Sequence, residues 1–280
     1  MNAVPIKRGF VDLPYGQMHY RKAGESGEAL LILHASPGSS SQQVRTIEDF
    51  VADARVFAPD TPGNGDSVAL FDREPTIPEL AAAMLQFLDA VGLDRVRVYG
   101  SHTGAAIAAE LAILAPERVS ALVLDGVSLM QGEELEEVLA RYAFPFEPDL
   151  DGAYLMRLFQ FCRDQYLFFP WYRRTRAGRR DGGLGNATDL HAWITEVMKA
   201  STTYHLNYRA AFKWPADERL PLLRCPTLVT AAVNDPLYDS SVALEKLLAD
   251  GRFEELPRLD AEDFRAARKA AIDSFFGELA

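Results

Sequence analysis

The sequence has 280 residues, enough for one large domain or for one domain carrying an inserted lid. Hydrophobic residues make up 48% and charged residues 25%, as in an ordinary globular protein, and 29 Lys and Arg against 40 Asp and Glu leave a formal net charge of −11. That balance argues against general nucleic-acid binding and against docking on anionic membranes. The opening MNAVPIKRGF lacks the apolar core of a secretory signal, and no run of 18 apolar residues follows, so the reading is a cytoplasmic protein without a membrane span. Cys162 and Cys225 stand far apart and form neither a disulfide framework nor a zinc pattern; they read as buried thiols in a reducing compartment.

Gly9 to Lys22 alternates around a Pro-Tyr-Gly turn and predicts a hairpin. Ala29 to Leu33 is a short continuous apolar run, the pattern of a strand buried on both faces of a parallel sheet. Helical spacing over Gln42–Ala54 leads into a strand at Arg55–Ala58. A helix over Ile77–Val91, with Leu80, Met84, Leu85 and Leu88 on one side, precedes a strand at Arg95–Tyr99. A tight turn at Gly100–Gly104, a small-residue helix over Ala105–Ala115 and a strand at Val119–Leu124 follow. This alternation implies a parallel sheet with right-handed crossovers. From 130 to 220 the pattern changes: aromatics and arginines become frequent, and helices are expected over Tyr154–Phe169 and Asp189–Trp214, with a basic, glycine-rich loop at Arg173–Gly185 between them. Pro226–Thr230 resumes the sheet, Phe253–Leu256 is a candidate last strand, and Phe264–Leu279 predicts a closing amphipathic helix. The expected organisation is an α/β core over 1–129, a helical cap insert over 130–220 and a return to the core over 221–280.

Four strand ends carry loops of special composition: His34-Ala-Ser-Pro-Gly38, Asp60-Thr-Pro-Gly-Asn-Gly-Asp-Ser67, Gly100-Ser-His-Thr-Gly104 and Val233-Asn-Asp235-Pro236. In this order the motifs resemble the α/β-hydrolase fold family over nearly the whole chain. The resemblance implies a mostly parallel sheet flanked by helices, with a helical cap inserted after the sixth strand. It also implies a nucleophile elbow, G-x-nucleophile-x-G, on a strand-to-helix turn. Gly100 and Gly104 fit that turn, yet the presented residue is His102. Ser101 lies one position early and is expected to point away from the mouth of the sheet. The family's acid follows the strand after the cap, which here is Asp235, with Asp125, after the strand before the cap, as the alternative position. The family's late-loop histidine is missing: Leu256 to Asp263 contains none, Ala261 stands at the best-matching place, and His19, His34, His102, His191 and His205 are the only histidines.

Two losses are consistent with one rearrangement. An imidazole at the elbow reaches toward Asp235, and Ala261 leaves room for it. The helix N-terminus and burial disfavour imidazolium, whereas an Asp235 contact favours it. Held neutral, His102 suits general-base work; direct attack to give an acyl-imidazole is the alternative, but no second base is evident to remove the acyl group. The resemblance implies an oxyanion hole from the backbone N–H groups of Thr103 and Ser36, donors that do not depend on a serine at the elbow. His34 is expected to fix its loop by hydrogen bonds. From the insert, Trp171, Tyr204 and His205 are candidate pocket contacts within an aromatic wall suited to a hydrophobic, aromatic or polyketide-like ligand. The arginine run Arg173 to Arg180 reads as a solvated loop, with a substrate carboxylate or a partner as its alternative ligand. No cofactor and no metal site is implied.

These observations lead to a cofactor-independent enzyme acting on a small hydrophobic carbonyl, ester or lactone compound. Carbon–carbon lyase, decarboxylase or isomerase chemistry on the same fold is one alternative, and a ligand-binding scaffold without catalysis is another. The expected partner is a small hydrophobic molecule, with no nucleic acid or membrane and with a homodimer left open. The state of the cavity discriminates: a scaffold fills it with bulky apolar groups, and an enzyme keeps it open with His102 and Asp235 in contact.

Overall fold

A computed structural model describes residues 4–279. Strands β1 (Lys7–Leu13) and β2 (Gly16–Ala23) form the N-terminal hairpin. With β3 (Glu28–Leu33), β4 (Ala54–Pro59), β5 (Val96–Ser101), β6 (Val119–Asp125), β7 (Thr227–Ala232) and β8 (Gly251–Leu256) they make one sheet in the order β1-β2-β4-β3-β5-β6-β7-β8. The hairpin is antiparallel to its neighbours, and β4, β3, β5, β6, β7 and β8 pair in parallel. Helices α1 (Val44–Phe50), α2 (Ile77–Ala90) and α3 (Thr103–Leu114) connect the early strands, and α9 (Tyr238–Leu244) and α10 (Phe264–Gly277) follow β7 and β8.

The continuous apolar run of β3 serves both faces of the sheet. Leu31 and Leu33 join a cluster with Leu80 and Met84 of α2 and Ile107 of α3, while Leu30 and Ile32 join one with Phe50 of α1 and Phe275 of α10. The period-two alternation thus buries successive residues in different layers, worth about 1.5–3 kcal/mol per large apolar side chain. The start of α2 is fixed by a capping box between Thr76 and Glu79. The loops after β3, β5, β6 and β7 all emerge at the carboxyl edge of the sheet, where open α/β sheets gather their ligands.

Between β6 and β7 the chain builds a helical insert: α4 (Gly132–Arg141), α5 (Ala153–Leu167), α6 (Ala187–Lys199), α7 (Tyr204–Phe212) and the short α8 (Ala216–Arg219). It has its own apolar cluster around Phe146, Phe161 and Tyr204. It is tied to the sheet's loops by Trp193 Nε1 donating to Pro37 O at 2.6 Å, Thr203 Oγ1 to Gly63 O at 2.7 Å and Asn207 Nδ2 to Pro62 O at 2.8 Å.

The single helix expected over Asp189–Trp214 is in fact two. It breaks at Ser201-Thr202-Thr203, residues whose hydroxyls compete for backbone partners; Phe146 N donates to Ser201 O at 2.9 Å, and Thr203 is engaged with Gly63. Helices α4 and α9 have no counterpart in the sequence reading. Among the described residues no helix is long and apolar enough to cross a membrane.

Candidate active site

The turn from β5 into α3 places His102 at φ 50°, ψ −111°, the one non-glycine residue with positive φ among those described. Such a conformation costs about 1–3 kcal/mol and persists only where its surroundings enforce it. The enforcement is visible. His102 N donates to Asp125 O at 2.9 Å, and a Cβ on Gly104 would stand 2.3 Å from Leu33 O, so only glycine lets α3 begin this close to β3.

The imidazole leans over the end of β6 toward the loop after β7. Its Nε2 lies 2.9 Å from Asp235 Oδ2, and Asp235 Oδ1 accepts from Leu237 N at 2.7 Å. A carboxylate only accepts, so Nε2 carries the proton of this contact, and Nδ1 has no partner among the described residues. Burial works to lower the His102 pKa, but the charge and hydrogen bond of Asp235, helped by Asp125, outweigh it and raise it above its ordinary value; Arg180 opposes them. Burial likewise works against the Asp235 carboxylate, and His102, the Leu237 N–H and Arg180 overcome it, so the Asp235 pKa is lowered. The His102 side chain is 36% exposed, but to the cavity: the ring lies deep beneath the insert.

Gly126 makes the imidazole's position possible. A Cβ there would lie 2.8 Å from both Cδ2 and Nε2 of His102, at a residue whose φ is +74°. Gly126→Ala is therefore expected to push the ring off Asp235. The measurement is a nuclear magnetic resonance titration of the His102 ring, whose pKa should fall because its largest favourable contact is lost. An unchanged titration would show that the ring tolerates the methyl group. Denaturant unfolding of the same variant should show a loss of about 1–3 kcal/mol from overpacking and backbone strain.

His102 and Asp235 stand at one end of a cavity of about 410 Å³ between the sheet and the insert. Of the insert's aromatics, Tyr142, Tyr166, Phe169, Trp193, Tyr208, Phe212 and Trp214 line it. Arg180 reaches it from the loop after α5. Its Nη1 donates to Gln165 O at 2.8 Å, and no carboxylate pairs with it among the described residues. Ser36 and Thr103 both line the cavity, and neither backbone N–H is spent in a turn or cap bond; that of Thr103 opens α3 and has no intrahelical acceptor. Ser101, expected to point away from the mouth of the sheet, instead lines the cavity together with Asp125 and Tyr99; the Tyr99 hydroxyl donates to Asp125, whose carboxylate makes no hydrogen bond to the His102 ring among the described residues.

His34 lies behind this wall. Thr61 N donates to its Nε2 at 2.9 Å, so Nδ1 carries the proton and donates to Ala35 O at 2.9 Å. Burial lowers its pKa, and it ties the loop after β3 to the loop after β4 as a neutral ring.

Three residues expected at the pocket are elsewhere. Trp171 packs edge-on against Phe161 and donates to Tyr142 O at 2.9 Å. Tyr204 is fully buried, its hydroxyl donating to Phe144 O at 2.9 Å; it shares a helix face with Tyr208 but sits one turn earlier, over the insert's own core. His205 is half-buried among the charges of Arg209 and Glu74. Conversely, Gly126 against the His102 ring and the cavity-lining Tyr99 and Arg268 are not singled out by the sequence. The glycine directly after the Asp125 strand end was the one legible sign.

One cluster, His19, Asp60 and Asp66, brings metal-type ligand atoms within 4.8 Å of one another. Its capacity is already taken: His19 Nδ1 pairs with Asp60 at 2.9 Å, Arg8 donates to His19 Nε2 and to Asp66, and Lys199 donates to Asp66. Two cations in that shell suit a brace between hairpin, loops and insert, and not a metal.

The sequence pattern of the family described as alpha/beta hydrolase fold matches residues 28–262. Among curated proteins, the 2-hydroxy-6-oxo-6-phenylhexa-2,4-dienoate hydrolase of Burkholderia cepacia is 29% identical over 255 residues, covering 86% of this chain and 84% of the relative. The 2-hydroxy-6-oxononadienedioate/2-hydroxy-6-oxononatrienedioate hydrolase 2 of Pseudomonas putida is 37% identical over 125 residues, 43% of each chain. The crystal structure of a hydrolase from Pseudomonas aeruginosa PA01 superposes with a TM-score of 0.74 at 20% identity, covering 97% of this chain and 98% of that one, a likeness of fold.

Proposed function

The chain belongs to the α/β-hydrolase fold family, and from that premise we propose that it is a cofactor-independent enzyme acting on a small hydrophobic carbonyl compound that bears a carboxylate, with His102 as general base. The observation that carries the reading is the His102–Asp235 contact of 2.9 Å beside an open cavity of about 410 Å³. A scaffold has no need to keep a strained, paired imidazole facing empty space. The volume suits a small organic ligand, and the aromatic wall suits an apolar body. The relatives' activities supply the substrate class: oxo-dienoates join a carbonyl and a carboxylate on an unsaturated chain. Arg180, facing the cavity without a carboxylate of its own, supports the same choice.

In this mechanism Asp235 holds the Nε2–H, so the Nδ1 lone pair is the base. A water beside Nδ1 gives up a proton as its oxygen attacks the carbonyl carbon. Negative charge gathers on the carbonyl oxygen, facing the N–H groups of Ser36 and Thr103, donors worth roughly 3 kcal/mol each in comparable sites. The imidazolium then returns the proton to the departing oxygen or carbon. No acyl-enzyme is required, in keeping with an elbow that presents an imidazole, not a hydroxyl, at its central position.

The test is turnover of a panel of activated esters, lactones and β-diketones, each with and without a carboxylate. Carboxylate-bearing members are expected to be preferred, and Arg180→Gln to raise their KM about tenfold through loss of a charge-assisted contact. A panel left untouched by the native protein would sink the hydrolytic reading. Equal use of both series by native protein and variant would sink the role of Arg180.

A further inference from the structure

We propose that Tyr99, Asp125 and Arg268 form a second subsite of the cavity, one that receives a phenolic or enolic hydroxyl group of the ligand. The proposal rests on reading the cavity as a substrate site. Tyr99 on β5 and Asp125 at the end of β6 belong to the sheet face covered by α10, and both line the cavity. Arg268 of α10 closes the same wall. It is only 8% exposed, its guanidinium carbon lies 5.8 Å from the Tyr99 ring centre and 5.5 Å from that of Phe264, and its Nη2 donates to Asp49 Oδ2 at 2.9 Å.

The hydrogen-bonding capacity of this cluster is only partly spent. Tyr99 satisfies Asp125 Oδ2, and Asp125 Oδ1 has no donor among the described residues. Arg268 Nη1 has no acceptor among the described residues; Nε has none either but is wholly enclosed, and the guanidinium lies beside the Tyr99 hydroxyl. Buried donors and acceptors are normally paired, so a cavity wall with both left over points to a ligand group that supplies both. A carbonyl or ether oxygen would answer Arg268 and leave Asp125 unmet; an ammonium would do the reverse. A hydroxyl is the smallest group that does both.

Charge argues the same way. Arg268 stands between Asp49 and Asp125, so this end of the cavity offers no net positive charge to a carboxylate, whereas Arg180 does. The aromatic faces of Tyr99 and Phe264 suit a hydroxyl on an unsaturated carbon. Of the late loop and the start of α10, Leu259 and Phe264 line the cavity, and no imidazole hydrogen-bonds the Asp125 carboxylate among the described residues.

The experiment is calorimetric titration of the full chain with acetophenone and with its three monohydroxy isomers. At least one isomer is expected to bind about tenfold or more tightly than acetophenone. Asp125→Ala and Arg268→Met should each bring that ratio close to one. If Asp125→Ala does not fold, Arg268→Met carries the test, because Arg265 still pairs with Asp49 at 2.6 Å. Equal binding of all four ketones, binding of none, or a preference that survives both substitutions overturns the subsite. A native protein that shows the preference yet turns over no carbonyl compound overturns the catalytic reading alone. His102-dependent turnover without the preference overturns the subsite alone.

Discussion

His102→Ala is expected to lower kcat/KM about a thousandfold on any substrate the native protein turns over. A positioned general base contributes about 10²–10⁴-fold, and the backbone donors of Ser36 and Thr103 survive the substitution, so a residue of activity should remain. The strained backbone of the elbow is held by Asp125 O and by the close approach of Gly104 to β3, neither of which involves the imidazole, so the fold should persist. Restoring the family's usual arrangement by His102→Ser with Ala261→His should not restore activity. Ala261 sits in the turn before α10, its N–H donating to Arg258 O at 2.9 Å, and it is Leu259 and Phe264 that face the cavity. Steady-state kinetics of the three proteins decide the matter. An active His102→Ala enzyme would remove the imidazole from the chemistry, and an active double variant would show that the late loop can still deliver a base.

The parts of this protein that the sequence made legible are those punctuated by glycine and proline. The apolar run of β3 and the loops opening at His34, Asp60, Gly100 and Val233 were readable because each needs unusual backbone at a strand end. Which side chains meet across the cavity was less readable, because it depends on rotation about helices and on strand register. Tyr204 and Tyr208 are both aromatic and lie on one face of α7, and only their height along the helix separates the insert's core from the cavity. The arginine run shows the same limit. Arg173 pairs with Glu137 and Arg174 with Asp164, while Arg180, in the same basic loop, faces the cavity. Tyr99 and Asp125 come together through the register that sets Ser101 opposite Asp125, and Arg268 through the packing of α10; no local pattern announces either.

Asp235→Asn is expected to lower the rate by about 10²–10⁴-fold and to move the rising limb of the pH–rate profile to lower pH. The rate falls because an amide does not enforce a proton on Nε2, so the wrong imidazole tautomer becomes accessible. The limb moves because burial alone would hold the His102 pKa down and Asp235 is what raises it; with the charge removed, the ring is neutral at lower pH. Stability should respond in the opposite region. A raised histidine pKa contributes stability that is fully present below 6.5 and is lost as pH rises through the folded-state value. A lowered aspartate pKa contributes stability that is present above 3.8 and is lost as pH falls through the folded-state value. The ion pair therefore stabilises the fold most between those two ordinary values, while the base is available only above the raised value. Denaturant unfolding of native protein, His102→Ala, Asp235→Asn and the double variant, run as a cycle across pH, should show a coupling that is largest near pH 5 and fades where activity rises. A coupling that grows with activity would mean that the two side chains do not share the proton in the way their contact implies.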